Sequence, residues 1–521
     1  MPASGAAATG FPLDDAWIHL VYGRSIATSL VPRYNESAEA GFTSVTWMLV
    51  CAIAHWLSWA TGLNIGVSLK LLGIMTGAAM SIGVFEVVVA LSSARLAATA
   101  AAIMCGATPL LAFSQVSGME VCLAGACGLW AVVAIEREKW LSAGVLISLA
   151  FWTRPEFILL GMIVGMAAPI VWRGAVFCER RPALRRLSIP LGVAGLLWAG
   201  YCLLTTGHPL PNTFYVKFST AHPAESLVSI VREILWPMPS NWLGAGAVLA
   251  AIGAAQLTRR PRFAGLVVLA FPLIFTLATA VSRDIPRGAG GADGGFAPLL
   301  QAYTHGMPEV RGGYFYWTRY AAPIIPFLFV WLGIGTSRLI PGQATHAGIP
   351  ASKTASAGRG RLALAALGAL LVLMAAWTYP RRLAERRMDF AWNCDNINAS
   401  QVAIGHWVNN NVAPQKAVCV NDAGAIRYFG RRRTIDLVGL NAHELAFDRP
   451  ALHRMRSDAA AMHDFAKSRD VAYLIVFPSW FAQLLDSPEV EARFGLVRVF
   501  RVDRYTISPG EQAVTIVLSP R

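Results

Sequence analysis

Charge is scarce in this sequence. Only 14% of its 521 residues are Asp, Glu, Lys or Arg, whereas 55% are hydrophobic and the mean hydropathy is +0.49. Such a composition excludes an ordinary water-soluble chain and makes hydrocarbon the main solvent. Acids are scarcer than bases, 30 against 44, for a net charge of +14. Short-period repeats are absent, which excludes solenoid arrays. The Cys and His residues lack metal-site spacing, so zinc has no evident seat. The only biased tract is QATHAGIPASKTASAGRGR, residues 343–361, which reads as a flexible loop.

Hydropathy changes near residue 380. Before it, long apolar stretches recur between short polar breaks, at residues 66–91, 97–114, 119–135, 141–153, 155–172, 188–206, 243–257, 263–282, 320–337 and 362–379. They predict about ten crossings, although several fall short of the ~20 residues a straight span prefers. The aromatic-rich stretch GFTSVTWMLVCAIAHWLSWATG, residues 41–62, reads as a helix lying at the interface. Residues 1–380 thus form a multispan helical membrane domain. Residues 381–521 have soluble composition and form an α/β domain: AVCVND, RTIDLVGL and VAYLIVF are strands, SQVAIGHWVNN and ALHRMRSDAAAMHDFAKSR are helical, and VRVFRVDR with AVTIVLS makes a hairpin. That domain carries no nucleophile elbow or P-loop, so its expected work is support of the membrane site or recognition of what that site acts on.

Lys and Arg alternate between loops. Arg95, then Arg137 and Lys139, then Arg173, Arg180, Arg181, Arg185 and Arg186, then Arg259, Arg260 and Arg262, then Arg338, Lys353, Arg359 and Arg361 occupy every second one. Those loops are cytoplasmic by the positive-inside rule, and the excess base is topological without any nucleic-acid partner. The remaining segments, including everything after about residue 380, lie outside. No apolar span precedes Asp14, and residues 1–13 lack the features of a signal peptide. A first helix upstream of the present start is the expected explanation.

Against this background the pair Asp14-Asp15, in FPLDDAWIHLVYGRSIA, is costly beside lipid and invites a functional reading. The plainer alternative is an acidic turn or helix cap, although capping needs one carboxylate and not two. Glu120, Arg154, Glu156, His208, Asn212, Tyr215, Lys217, Arg311 and Arg319 also fall at or near outer ends of spans, and Lys70 can snorkel to the same surface. Cations at that depth suit a lipid-linked phosphate. Arg154 precedes Pro155, where a helix must end or bend; its plain alternative is an ion pair with Glu156 or Glu120 that fixes helix ends. In GHPLPNTFYVK two prolines stiffen a loop whose Asn212, Tyr215 and Lys217 offer sugar and phosphate partners. His208 is a weaker base candidate, and YFYWTRYAAP is an aromatic belt around Arg319. Cys394 and Cys419 both fall outside, where they have the option of pairing.

Four motifs, DDAWIHLVYGRSIA with GFTSVTW, SGME (Ser117–Glu120), TRPE (Thr153–Glu156) and GHPLPNTFYVK (Gly207–Lys217), resemble the GT-C superfamily of integral membrane glycosyltransferases. The nearest likeness is to the bacterial group that includes mycobacterial terminal arabinofuranosyltransferases, and VCVNDAGAIRYFGRRRTIDLVGL is similar to that group's C-terminal domain. The resemblance implies an inverting transfer from a polyprenyl-phosphate sugar, with arabinofuranose as the family-based donor, to an envelope glycan, lipid or protein at the outer face of a bacterial inner membrane. It implies a base or metal-binding acid at Asp14 or Asp15 and phosphate contacts from Lys70, Arg154 and Arg319. Substrate contacts fall to Glu120, Glu156, His208, Asn212, Tyr215 and Lys217. Any divalent cation, Mg or Mn, is held by carboxylates, with Asp14 and Asp15 as its ligands. Two readings of other classes compete: a lipid or sugar transporter, disfavoured because repeats are absent and the charges gather at one face, and a noncatalytic glycan-binding envelope protein.

Overall fold

The computed structural model describes residue 2 and residues 5–172, 175–218, 223–229, 245–259, 262–282, 318–337, 380–507 and 513–521. The anticipated span 362–379, the loop 343–361, Arg311 and the cations Arg173, Arg260, Arg338, Lys353, Arg359 and Arg361 lie outside the described residues.

Apolar helices dominate the first part of the chain. Among the described residues three are long and apolar enough to cross a membrane: Ile65–Ser92, Arg181–Thr206 and Phe263–Ser282. A fourth crossing is formed if Arg95–Ala107 and Pro109–Val116, bent by 59° at Thr108, act as one span. The remaining apolar helices, Val45–Thr61, Val121–Glu136, Trp140–Thr153, Pro155–Val171, Ala247–Thr258 and Ala322–Thr336, are shorter. Each anticipated span among the described residues therefore coincides with a helix, but length alone supports three or four crossings rather than ten. Large apolar side chains face outward, including Met75 at 65% exposure and Leu204 at 90%, as helices bathed in lipid require. Ion pairs of Glu86 with Arg137, Glu138 with Arg180 and Glu136 with Arg262 tie the basic loops together.

The end of the chain forms a five-stranded sheet, β1 (Ala417–Val420), β2 (Arg433–Asp436), β3 (Val471–Val476), β4 (Phe494–Arg501) and β5 (Val514–Pro520), in the order β2-β1-β3-β5-β4. β1 runs parallel to β2 and β3, whereas β5 is antiparallel to both β3 and β4. The expected strands, helices and terminal hairpin partners are all present. Alternation of side chains along β1 explains why both faces are covered. Ala417 and Cys419 face a core built with helix Ala459–Ser468; Val418 and Val420 face helix Ala403–Asn411 and, beyond it, helix Asp15–Ser29.

Helix Asp15–Ser29 is thereby caught between two surfaces. It packs on helix Val45–Thr61 on one side and on the sheet domain on the other. The helix spanning 380–397 returns to the membrane bundle, where Phe390 lies 4.9 Å from Phe113 in ring-centroid distance. Cys394 joins that bundle core whereas Cys419 sits inside the sheet domain, and both are free, so the expected option of a disulfide between them is corrected. Apolar burial has taken them into different cores.

Candidate active site

Four local structures converge at the start of helix Asp15–Ser29. The TRPE motif does what its proline dictates: helix Trp140–Thr153 stops at Arg154, whose φ of −145° and ψ of 120° are extended, and a short turn Pro155–Phe157 restarts the chain. In SGME, Gly118 adopts a φ of +77°, and a Cβ there would lie 2.7 Å from the Phe11 ring and 2.9 Å from Ala16. Glycine allows this tight turn, which Trp47 secures by donating its indole N–H to the Gly118 carbonyl at 2.9 Å. The turn places Glu120 at the head of helix Val121–Glu136. GHPLPNTFYVK forms a loop into helix Asn212–Lys217, and Arg319 precedes the turn Ala322–Ile324.

These pieces enclose a cavity of about 370 Å3 whose lining includes Asp15, His19, Glu120, Arg154, Glu156, Lys217 and Arg319. Its remaining wall is largely apolar, from Phe42, Phe151, Trp198, Phe214 and Phe218, with Leu440 contributed by the sheet domain. A polar end against an aromatic wall matches a ligand with a charged head and a greasy body.

The polar end is a chain of charges in which Arg319, Arg154 and Glu120 are buried and Asp15 is partly exposed to the cavity. Arg319 Nη1 lies 2.7 Å from Asp15 Oδ2. Arg154 donates to the Arg319 carbonyl at 2.9 Å and lies 3.4 Å from Glu120, which is 3.7 Å from His19. Burial alone would raise the Asp15 pKa, but Arg319, Lys217 and His19 outweigh it and hold the carboxyl at about 2. Burial pushes the His19 pKa below its ordinary value, against the pull of Glu120 and Asp15.

Asp14 has a different environment. Its carboxylate turns to the sheet domain and accepts hydrogen bonds from the backbone N–H of Gly424, 2.6 Å, and Ala425, 2.7 Å, at the start of helix Ala425–Gly430. It is a helix cap delivered by a distant segment. Burial raises its pKa to about 7; the two backbone donors lower it, and Asp15 and Asp436 raise it further. Asp422, which accepts from Gln401 at 2.6 Å, is also pushed up, first by burial and then by the Asp14 charge.

Of the other candidates, Lys70 is buried and its ammonium donates to the carbonyls of Ala7, Ala8 and Gly10 at 2.5, 3.0 and 2.7 Å. It clamps the N-terminal turn and does not line the cavity. His208 stacks on Phe447 at 3.6 Å and Tyr215 packs on the same ring at 4.8 Å, so this pair docks the sheet domain. Asn212 is fully buried, and among the described residues neither side-chain polar atom has a partner. The adjacent Thr213 lines the cavity with its hydroxyl likewise unpaired among the described residues.

Asp15, Glu120, Arg154, Glu156, Lys217 and Arg319 are thus brought together, whereas Asp14, Lys70, His208, Asn212 and Tyr215 surround the cavity without lining it. His19 and Thr213 were not anticipated. His19 had a signal, since it stands four residues after Asp15 on the same helix face. The metal expectation meets a poor fit. Asp14 is engaged by backbone donors and Asp15 by Arg319, and no three His, Cys, Asp or Glu side chains converge among the described residues.

The architecture defines the class: the chain has the fold of the GT-C membrane glycosyltransferases. ArnT from Cupriavidus metallidurans bound to undecaprenyl phosphate superposes with a TM-score of 0.58 at 14% identity, over 98% of this chain and 95% of that one. The oligosaccharyltransferase AglB from Archaeoglobus fulgidus, in complex with an inhibitory peptide and a dolichol-phosphate, gives 0.54 at 12% identity, over 94% and 69%. The same archaeal enzyme in complex with Zn and sulfate gives 0.54 at 11%, over 94% and 68%. The mycobacterial arabinofuranosyltransferase AftD gives 0.43 at 12%, over 97% and 41%. Residues 395–517 match a family model described as a domain of unknown function, DUF8728. No curated protein matches.

Proposed function

We propose that this chain is an inverting glycosyltransferase that takes a sugar from a polyprenyl-phosphate donor, at the outer face of a bacterial inner membrane. The observation that carries the proposal is the meeting of Asp15 with Arg319, Arg154 and Lys217 at the polar end of an aromatic-walled cavity. A proton acceptor beside several cations is what transfer from a lipid phosphate needs. The fold shared with structures holding undecaprenyl phosphate and dolichol-phosphate supports the same donor class.

In the proposed reaction the acceptor hydroxyl oxygen attacks the anomeric carbon. The bond from that carbon to the phosphate oxygen breaks, its electron pair leaves with polyprenyl phosphate, and the hydroxyl proton passes to Asp15. Arg319 and Lys217 neutralise the departing phosphate, while Arg154 holds the Arg319 backbone and Glu120 in place. Asp15 is ionised at every working pH but weakly basic while Arg319 pairs with it. Sharing of that guanidinium with the donor phosphate strengthens the base when the substrate is bound. Thr213, whose hydroxyl has no partner among the described residues, supplies a polar atom at the cavity wall for a sugar hydroxyl. Arabinofuranose is the sugar favoured by the sequence motifs, and the acceptor is an envelope glycan, lipid or protein. The shorter apolar helices complete the crossings, and the sheet domain, residues 381–521, stands outside as a roof.

The test is transfer in nanodiscs from a panel of polyprenyl-phosphate sugars, by the unaltered chain and by Asp15→Asn. Turnover of one donor that disappears in the variant supports the reading. Binding of polyprenyl phosphate without turnover of any donor favours transport or scaffolding instead.

A further inference from the structure

Helix Asp15–Ser29 also bears a second functional face. Arg24 follows Asp15 by nine residues, two and a half turns at about 3.6 residues per turn, so the two side chains leave opposite sides of the helix. On the far side, Arg24, His406, Asn409, Tyr428, Phe429 and Arg431 line a separate crevice of about 310 Å3 that shares no lining residue with the cavity around Asp15. The Arg24 guanidinium lies 4.4 Å from the centre of the Tyr428 ring and donates to the Tyr428 carbonyl at 3.2 Å. Arg431 ends helix Ala425–Gly430 with a φ of +51° and an exposed side chain. Among the described residues neither Arg24 nor Arg431 has a carboxylate at ion-pair distance. Two such cations in one aromatic-floored crevice ask for an anion.

The surroundings say which kind. Helix Val45–Thr61 is tied to this region, since Trp56 donates to the Ala27 carbonyl at 3.2 Å and His55 stacks on Tyr428 at 6.1 Å. Its outward side carries Leu49, Ile53 and Trp56 at helical spacing, continued by Trp59 and Leu63, all 41–54% exposed. An apolar stripe flanked by cations is the pattern of a surface that inserts among acyl chains while holding their headgroups. We propose that the Arg24–Arg431 crevice binds the phosphate of an anionic phospholipid, with the stripe on helix Val45–Thr61 lying against its acyl chains. This site is independent of the transfer reaction and of the donor it uses.

Native mass spectrometry of the full chain, released from nanodiscs containing equal phosphatidylglycerol and phosphatidylcholine of matched chain length, tests it. Phosphatidylglycerol is expected to be retained at least tenfold over phosphatidylcholine. Arg24→Gln and Arg431→Gln should each reduce that preference severalfold. Arg431 makes no side-chain hydrogen bond among the described residues, so its variant keeps the fold and its result stands even if Arg24→Gln perturbs packing on Tyr428. Equal retention of the two lipids, or a preference unchanged in Arg431→Gln, overturns the proposal. Displacement of phosphatidylglycerol by millimolar inorganic phosphate would make the ligand a soluble anion and overturns it too.

Discussion

The carboxylates of Asp15 and its neighbour Asp14 face opposite ways: Asp15 lies 2.7 Å from the Arg319 guanidinium inside the cavity, while Asp14 caps the Gly424 and Ala425 N–H groups of the sheet domain at 2.6 and 2.7 Å. One acidic pair therefore joins two jobs. The first residue latches the sheet domain to the helix whose next residue lies in the cavity.

Asp15→Asn should abolish transfer while leaving the fold intact, because the amide keeps the volume but cannot take a proton. Loss of a general base corresponds to about 10²- to 10⁴-fold in kcat. Single-turnover assays with the variant in nanodiscs, alongside thermal unfolding, check both parts. A variant with more than a tenth of the normal rate would remove Asp15 from the chemistry.

Asp14→Ala should act on stability before chemistry. It leaves two buried backbone donors unpaired, at about 1–3 kcal/mol for each. Hydrogen exchange is expected to rise in residues 424–430, with a lower unfolding temperature. Exchange unchanged there would mean that the latch is not needed for docking.

The same residue gives a signed pH dependence. Its folded pKa of about 7 lies above the ordinary 3.8, so the folded chain holds a proton that the unfolded chain releases between those values. Its contribution is fully present below about pH 4 and is lost as pH rises through about 7. Asp15, held at about 2, has the opposite sign, and its contribution is lost only as pH falls from 3.8 towards 2. Asp14→Asn should therefore flatten the decline in stability between pH 4 and 7, measured by thermal unfolding at several pH values. An unchanged decline would assign it to other buried acids such as Asp422 and Asp436.

Arg319→Gln should weaken donor binding and alter the pH profile together. Loss of one charge-assisted contact is worth about 1.5–3 kcal/mol, or roughly ten- to a hundredfold in donor KM. Because Arg319 depresses the Asp15 pKa, its removal should move the acid limb of kcat/KM upward. A raised KM with an unmoved acid limb would separate phosphate binding from the control of Asp15.

Gly424→Ala should mimic loss of the latch. A Cβ at that position would lie 2.1 Å from the Asp14 carbonyl oxygen and 2.8 Å from its Oδ2, contacts that backbone cannot relieve by a rotamer change. The expected result is increased proteolysis between the helical bundle and the sheet domain, with Asp15 chemistry impaired in proportion. Protection equal to the native chain would show that helix Asp15–Ser29 shifts to accommodate the methyl group.

Much of this organisation is legible in the chain. Pro155 announces the break at Arg154, Gly118 the turn that aims Glu120, and the unbroken apolar run AVCV a strand covered on both faces. These features depend on residues near each other in sequence, where sterics and periodicity act directly. Lys70 shows the limit: its position on the helix is readable, but its engagement with the carbonyls of Ala7, Ala8 and Gly10 depends on where a separate segment lands. The same holds for His208, drawn onto Phe447 of the sheet domain.

The sequence by itself determined a chain of apolar helices with an α/β end and an inventory of charges too expensive to lie beside lipid. Only the tertiary structure decided which of Asp14 and Asp15 enters the cavity. The two differ by one residue, about 100° around a helix, and their fates depend on partners hundreds of residues away. Burial raises the Asp14 carboxyl against the pull of two backbone donors, whereas at Asp15 the charges of Arg319 and Lys217 overcome the same cost of desolvation and lower it.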